Sequence, residues 1–496
     1  MFSKKSFWLI FVILVIFGAI FVVKNFPQMM SFVNVEIKMD RKQALLQSEF
    51  FAEKLALGLL EYEQAVIFDT DYNTQIYVEL EGGGKDVFNE IIAEHYYKPY
   101  KWKVRHFTEN EVKEVTFWFT PKGEFYGFKE KLPETEERVN VFEEDALKMS
   151  KDFAIDNFQT NFTEYDLIET KKNEEKSGRV DYTFVYQHNG RQINEAFYRL
   201  QITVSGDKVS EFRHFVKTPE AFSRRYSEMR SANNTIASAG SIAMAIFYGF
   251  GGILIGIFIL LRKRWLIWKK PLIWAFIVAV FGFITQFNNL PLTWFWYDTA
   301  ISKGSFIFQT IIQNFMMFLQ DFLLLALSFM AAESLTRKAF PQHLQFWKIW
   351  DKGVANSKQV LGNTLAGYFV AILSLVFITT FYYFTTNYLG WWNPASLSTD
   401  PNSLATYFPW FSAIANSLHA GFWEECLFRA VPLAGAVLIG RKLGKEKLWL
   451  GIGLVLQAVI FGMGHANYAA QPAYARVVEL LIPSLYFAFL YLRFGL

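Results

Sequence analysis

A single cysteine, Cys426, stands in 496 residues. It excludes an intrachain disulfide and any zinc site built from cysteines. Charge is scarce as well: Asp, Glu, Lys and Arg make up 19% of the chain, and the net charge of +3 leaves no electrostatic footprint for nucleic acid. The 7 histidines form no His-Glu-x-x-His signature, so the sequence demands no metal. What is abundant is apolar. Hydrophobic residues reach 52% and aromatics 18%, too much for one large soluble domain. The charges crowd into residues 36–230 and thin out after 235, which implies two environments.

After Lys4 and Lys5, Phe7 to Val23 carries no charge. That run is long enough to cross a hydrocarbon core of roughly 30 Å at about 1.5 Å per residue. No small-x-small cleavage site follows, so it reads as an uncleaved anchor. Further apolar runs at 237–261, 271–287, 305–330, 364–386, 411–440, 448–465 and 477–492 bring the expectation to about eight spans. Basic residues mark alternate connections: Arg262, Lys263, Arg264, Lys269 and Lys270, then Arg337, Lys338, Lys348, Lys352 and Lys358, then Arg441, Lys442, Lys445 and Lys447. Residues 288–304 hold only Lys303, and 387–410 hold no Lys or Arg. The positive-inside rule puts the basic loops and the N-terminus in the cytoplasm and residues 24–235 outside it, in what reads as a bacterial plasma membrane.

Residues 24–235 alternate helical and strand-like stretches. Phe50, Phe51, Leu55, Leu57 and Leu60 suggest an amphipathic helix; Gln75–Leu80, Val115–Phe119 and Tyr198–Val204 read as strands. The pattern Ala44-Leu45, Ser48, Phe51-Ala52 recurs as Ala146-Leu147, Ser150, Phe153-Ala154. Each copy ends in a strand turning at a glycine, Gly123 or Gly206, and then a Pro-Glu pair, Pro133-Glu134 or Pro219-Glu220. The expected fold is therefore an all-α polytopic membrane protein with an α+β extracytoplasmic insert of two similar modules. The divisions fall at 1–23 (anchor), 24–135 and 136–235 (modules), 236–363 (spans two to four) and 364–496 (C-terminal core). The modules resemble the small PepSY-type modules of envelope proteases. His95, His106, His188 and His214 are scattered through them and read as surface or packing residues.

Ionisable groups inside a span cost roughly 2.5–3.5 kcal/mol each or more, so they pair or act. Glu424, Glu425 and Arg429 stand together in an otherwise apolar helix. Glu425 and Arg429, at i and i+4, share a face and can pair. Glu424 points elsewhere, and a carboxylate without a local partner in a dry site can act as a general base toward water. The next span ends in Phe461-Gly-Met-Gly-His465. Counting from Arg441 on one helix and Lys447 on the other places Glu424 and His465 each about 26 Å from the cytoplasmic edge. Gly462 and Gly464 would allow close helix approach. Cys426 reads as a small hydrophobe.

At these residues the chain resembles the CAAX prenyl protease and bacteriocin-processing (CPBP, or Abi) family of intramembrane proteases. That family is marked by Glu-Glu-x-x-x-Arg, Phe-x-x-x-His and His-x-x-x-Asn/Asp on successive helices. Glu424, Glu425 and Arg429 match the first motif, Phe461 and His465 the second, and the resemblance covers residues 365–496. It implies peptide hydrolysis within the membrane, with Glu424 activating water, His465 assisting, Glu425 and Arg429 holding the geometry, and Phe461 supporting. It implies membrane lipid and a membrane-associated peptide or protein, CAAX-like prenylated chains among them, as partners. No cofactor is expected; a divalent metal such as zinc, if one binds, would take Glu424 and His465. The third motif is absent, and the expectation is that the natural protein continues past Leu496 into that helix and its oxyanion-stabilising group.

Two rivals share these residues. One is a non-catalytic immunity or sensor protein on the same scaffold. The other is a proton-coupled transporter using Glu424, Asp321 and His465. Asp321, Gln320, Asn314 and Gln309 form a polar stripe suited to helix–helix hydrogen bonds, and Glu479 is placed to pair with Arg476.

Overall fold

The computed structural model describes residues 5–29, 32–33, 35–93, 97–343 and 345–495; Lys4 and His95 lie outside them. Seven helices among these are long and apolar enough to cross a membrane: Ser6–Pro27, Glu220–Arg262, Lys269–Asn288, Lys303–Ala339, Lys358–Leu389, Glu446–Gly464 and Ala475–Phe494. The run expected at 411–440 is also helical, from Pro409 to Lys442, but it carries Glu424, Glu425 and Arg429 mid-length and is not among the seven. The chain is thus a polytopic, mainly helical membrane protein with a sheet-bearing region between its first two spans.

That region holds nearly all the strands: β1 (Phe32–Val33), β2 (Glu63–Thr70), β3 (Tyr100–Phe107), β4 (Glu114–Phe119), β5 (Phe125–Lys131), β6 (Tyr165–Glu174), β7 (Val180–Ile193), β8 (Ala196–Ser205) and β9 (Lys208–Lys217); β10 (Ser396–Leu397) comes from a later loop. Strands β2 to β9 form one antiparallel sheet in the order β2-β3-β4-β5-β9-β8-β7-β6. Its two halves meet where β5 pairs with β9 at Phe128↔Phe212. Gly127 allows that approach, since a Cβ there would stand 2.4 Å from the Phe212 carbonyl oxygen.

The sequence repeat marks the helix face of each half. Ala44, Ser48 and Ala52 are buried on the helix Arg41–Lys54, and Ala146, Ser150 and Ala154 on Glu143–Phe158. Ser48 and Ser150 each donate at 2.7 Å to the carbonyl three residues back, Leu45 and Leu147. Small side chains let both helices lie close on the sheet. Of the larger residues expected on the first helix's face, Phe51 and the C-cap Leu55 pack against the core, and Phe51 stacks on Phe125 at 3.9 Å; the other three do not belong to that face. The helix ends at Lys54, because Ala56 and Gly58 take positive φ, so Leu57 and Leu60 fall outside it, and Phe50 stays exposed.

The strand expected at Gln75–Leu80 is instead a helix, Tyr72–Leu80. Asp71 caps it, accepting from the Thr74 N–H at 3.1 Å. The segment is buried from Thr74 to Glu79, so β-branched and aromatic side chains that favour strands pack equally well on a short covered helix. Val115–Phe119 lies in β4 and Tyr198–Val204 in β8, as strand patterning predicts.

Residues from the membrane region cover the sheet's β2 edge. The Asn402 amide donates to the Phe68 carbonyl and accepts from its N–H, both at 2.8 Å, as a neighbouring strand would. Arg105 donates to the carbonyls of Phe295 (3.1 Å) and Tyr297 (2.7 Å). β1 pairs with β10, and Ala395 belongs to the insert's own core, with Trp392 and Leu397 packed against it.

Candidate active site

The first motif lies where a helix changes pitch. Pro409–Glu424 is α-helical, Glu425–Ala430 widens into π turns, and Val431–Lys442 is α-helical again. Pro432 has no N–H to offer the Phe428 carbonyl, and the widened turns sit just ahead of it. The second span is also widened, over Ala245–Ile255, and presses on this helix. A Cβ on Gly252 would stand 2.3 Å from Val431 Cγ1.

His465 ends the helix Glu446–Gly464. Its Nδ1 lies 2.8 Å from the Phe461 carbonyl oxygen. A carbonyl can only accept, so Nδ1 carries the hydrogen, and in the neutral ring Nε2 keeps a free lone pair. Nε2 faces Glu424 Oε1 at 3.9 Å. The gap is too long for a direct hydrogen bond, and one water can touch both atoms. Both side chains are about one-third exposed or less, at 26% for His465 and 32% for Glu424, so the pair is accessible without being fully solvated. The structure therefore brings together two residues from separate helices that the sequence set at equal depth.

Arg429 is almost wholly buried and sits between aromatic rings, its guanidinium carbon 4.3 Å from the Phe461 centroid and 5.3 Å from that of Phe487. Its contact with Glu425 is long, 3.9 Å from Nε. Phe461 thus stacks between functional groups: Arg429 on the ring, the His465 ring at 4.5 Å, and Phe428 edge-on at 4.9 Å. Glu425 lines a largely apolar cavity of about 250 Å³ together with Phe329, Trp347, Leu418, Phe422 and Cys426. Cys426 is buried there.

Glycines set the helix spacing. A Cβ on Gly462 would stand 2.9 Å from the Val477 carbonyl oxygen, so this glycine admits the last helix and not the Glu424 helix. Gly464 has nothing within 4 Å of its own Cβ position. It serves the opposite neighbour: a Cβ on Gly240 of the second span would stand 2.6 Å from the Gly464 nitrogen.

Of the polar stripe, Gln309 and Gln320 stay exposed, Asn314 is buried, and Asp321 accepts from His419 Nε2 at 2.8 Å. Sequence reasoning passed over His419. Its place in the same helix as Glu424, as an ionisable residue within an apolar segment, was the available signal. Gln457 was missed too; buried, it donates to the Ser484 carbonyl at 3.1 Å and ties the His465 helix to the last one. Glu479 pairs with Arg476 at 2.6 Å and also accepts from Tyr382 at 3.0 Å. In the insert, His106 hydrogen-bonds Ser48 at 2.7 Å, His188 lies 2.7 Å from the Asn189 carbonyl, and His214 stacks on Tyr126.

A zinc site takes about four N, O or S donors. Among the described residues no three His, Cys, Asp or Glu side chains converge, and Glu424 with His465 would supply only two.

No curated protein and no solved structure matches the chain. Residues 406–496, which hold both motifs, match the family model of type II CAAX prenyl endopeptidase Rce1-like proteins, the protease family to which this segment is similar.

Proposed function

We propose that the protein is an intramembrane endopeptidase acting on membrane-associated peptides, CAAX-like chains among them, with Glu424 as general base and His465 as its partner. The observation that carries this is the 3.9 Å approach of His465 Nε2 to Glu424 Oε1 with Nδ1 already engaged. A water between them gives one O–H to the carboxylate and the other to the imidazole lone pair, which turns its oxygen toward a scissile carbonyl. As that oxygen bonds to the carbonyl carbon, Glu424 takes the proton. It returns the proton to the amide nitrogen as the C–N bond breaks. Arg429, wedged on Phe461, fixes the ring on which His465 rests. The step uses these groups and water.

The chain crosses the membrane about eight times in this reading, with Pro409–Lys442 as the charged span. The basic loops face the cytoplasm and the insert faces outward.

The test is cleavage of membrane peptides by the protein in proteoliposomes, wild type against Glu424→Ala. Loss of cleavage in the variant is expected; cleavage indifferent to Glu424 would overturn the reading. Dialysis against EDTA should leave the rate unchanged. A loss restored by zinc would instead make Glu424 and His465 ligands. The Asp321–His419 pair favours one rival, a proton-coupled transporter, which proton-driven uptake without cleavage would reveal.

A further inference from the structure

The loop that follows His465 is held from outside the site. Within residues 466–474, Gln471 exchanges both backbone hydrogen bonds with Trp392, at 2.9 and 2.8 Å. The opposite side of the same loop is gripped by the second span. Asn233, fully buried, donates to the carbonyls of Ala470 (3.3 Å) and Ala473 (3.2 Å), and Arg230 donates to that of Asn467. Arg230 also donates to Asn233 Oδ1 at 3.1 Å, fixing the amide so that its NH₂ faces the loop.

Trp392 in turn is held by the sheet region. On the helix Tyr72–Leu80, Gln75 and Glu79 stand at i and i+4, both buried, and Gln75 donates to Glu79 at 2.8 Å. Together they treat Ala395 as a strand partner would. Gln75 donates to its carbonyl at 2.7 Å, and the Glu79 carboxylate accepts from its N–H at 3.1 Å. Glu79 also accepts from the Trp392 indole at 3.0 Å. A carboxylate is only 6% exposed here and takes three N–H donors. Such an anion is stable only while all its donors stay in place, so the contact has one sharply preferred geometry.

We propose that the insert sets the position of His465 against Glu424 through this clamp, with Glu79 and Asn233 as positioning residues for the reaction. The proposal rests on the peptidase reading for its kinetic arm alone. The route is continuous: Glu79 fixes Trp392 and Ala395, Trp392 fixes Gln471, and Gln471 with Asn233 fixes the loop that begins at His465. A partner that shifts the insert would thereby reach the site without touching it.

The experiment uses the whole protein in proteoliposomes and compares Glu79→Ala, Glu79→Gln and Asn233→Ala with wild type. Kinetics should show kcat lowered at least tenfold in Glu79→Ala and Asn233→Ala with KM within twofold. Glu79→Gln, which keeps one acceptor oxygen, should fall between. In nanodiscs, ¹⁵N-histidine spectra, with His465 assigned through His465→Gln, should show the Nδ1–H tautomer in wild type and a tautomer mixture in the clamp variants. An unchanged His465 signal in folded Glu79→Ala and Asn233→Ala overturns the proposal, as does an unchanged kcat. If Glu79→Ala does not fold, Asn233→Ala decides from the other side. If wild type cleaves nothing, the peptidase reading fails while the tautomer signal still tests the clamp.

Discussion

His465 turns Nε2 toward Glu424 Oε1 across 3.9 Å while its Nδ1 stays bonded to the Phe461 carbonyl. Two acceptors facing one water act as a unit, and units are non-additive when dissected. Glu424→Gln and His465→Gln should each lower kcat by about 10²–10⁴-fold. The double variant should be no slower than the worse single one. Single-turnover cleavage in proteoliposomes measures this; multiplying losses would mean that the residues act in separate steps.

Arg429 is placed by shape as much as by charge. A planar guanidinium lies on Phe461 and against Phe487, and a lysine ammonium cannot stack in that way. Arg429→Lys should therefore lose about 1–2 kcal/mol of stability. It should also slow cleavage, because Phe461 carries the His465 ring. Melting temperature and kcat read the two effects. A Lys variant with wild-type values for both would show that charge alone suffices.

The candidate site stood out in the sequence because intramembrane charge is expensive: Glu424, Glu425, Arg429 and His465 lie against apolar surroundings, and loop charges set Glu424 and His465 at one expected depth. Arg429's partner was harder to read. Its i,i+4 spacing pointed to Glu425, which it approaches at 3.9 Å, but not to the rings of Phe461 and Phe487, which come from two other helices. The clamp was hidden for a different reason. Gln75–Leu80 alternates like a strand, and only the Asp71 cap and burial beneath a distant loop make it a helix with Gln75 and Glu79 on one face. The sheet's internal repeat was visible as sequence, but its join at Gly127 depends on a backbone contact that no pattern encodes.

The second span approaches the helices of Glu424 and His465 through two glycines, and these should tolerate no side chain. Gly252→Ala drives a methyl into Val431, and Gly240→Ala drives one into the Gly464 backbone beside His465. Each should destabilise by about 1–3 kcal/mol, the usual cost of overpacking. Gly249, on the same helix, has nothing within 4 Å, so Gly249→Ala should be neutral or stabilising by up to about 1 kcal/mol. Thermal melts of the three variants test this. Gly240→Ala should also reduce cleavage, since the atom it displaces adjoins His465. Equal melting temperatures for all three would show that the spans are packed more loosely than these distances imply.

In the insert, burial pushes His106 down from 6.5 to about 4. The folded state thus prefers the neutral ring, held between Ser48, Gln64 and the Tyr62 face. A depressed histidine contributes its full stability above about pH 6.5, and that contribution is lost as pH falls toward 4. The difference corresponds to at most about 3 kcal/mol. Hydrogen exchange of β3 and β4 in the intact protein should therefore quicken between pH 7.5 and 4.5 after correction for intrinsic rates. In His106→Gln that acceleration should shrink, because the amide does not titrate. An acceleration of equal size in both proteins would assign the acid sensitivity to other groups and leave His106 a packing residue alone.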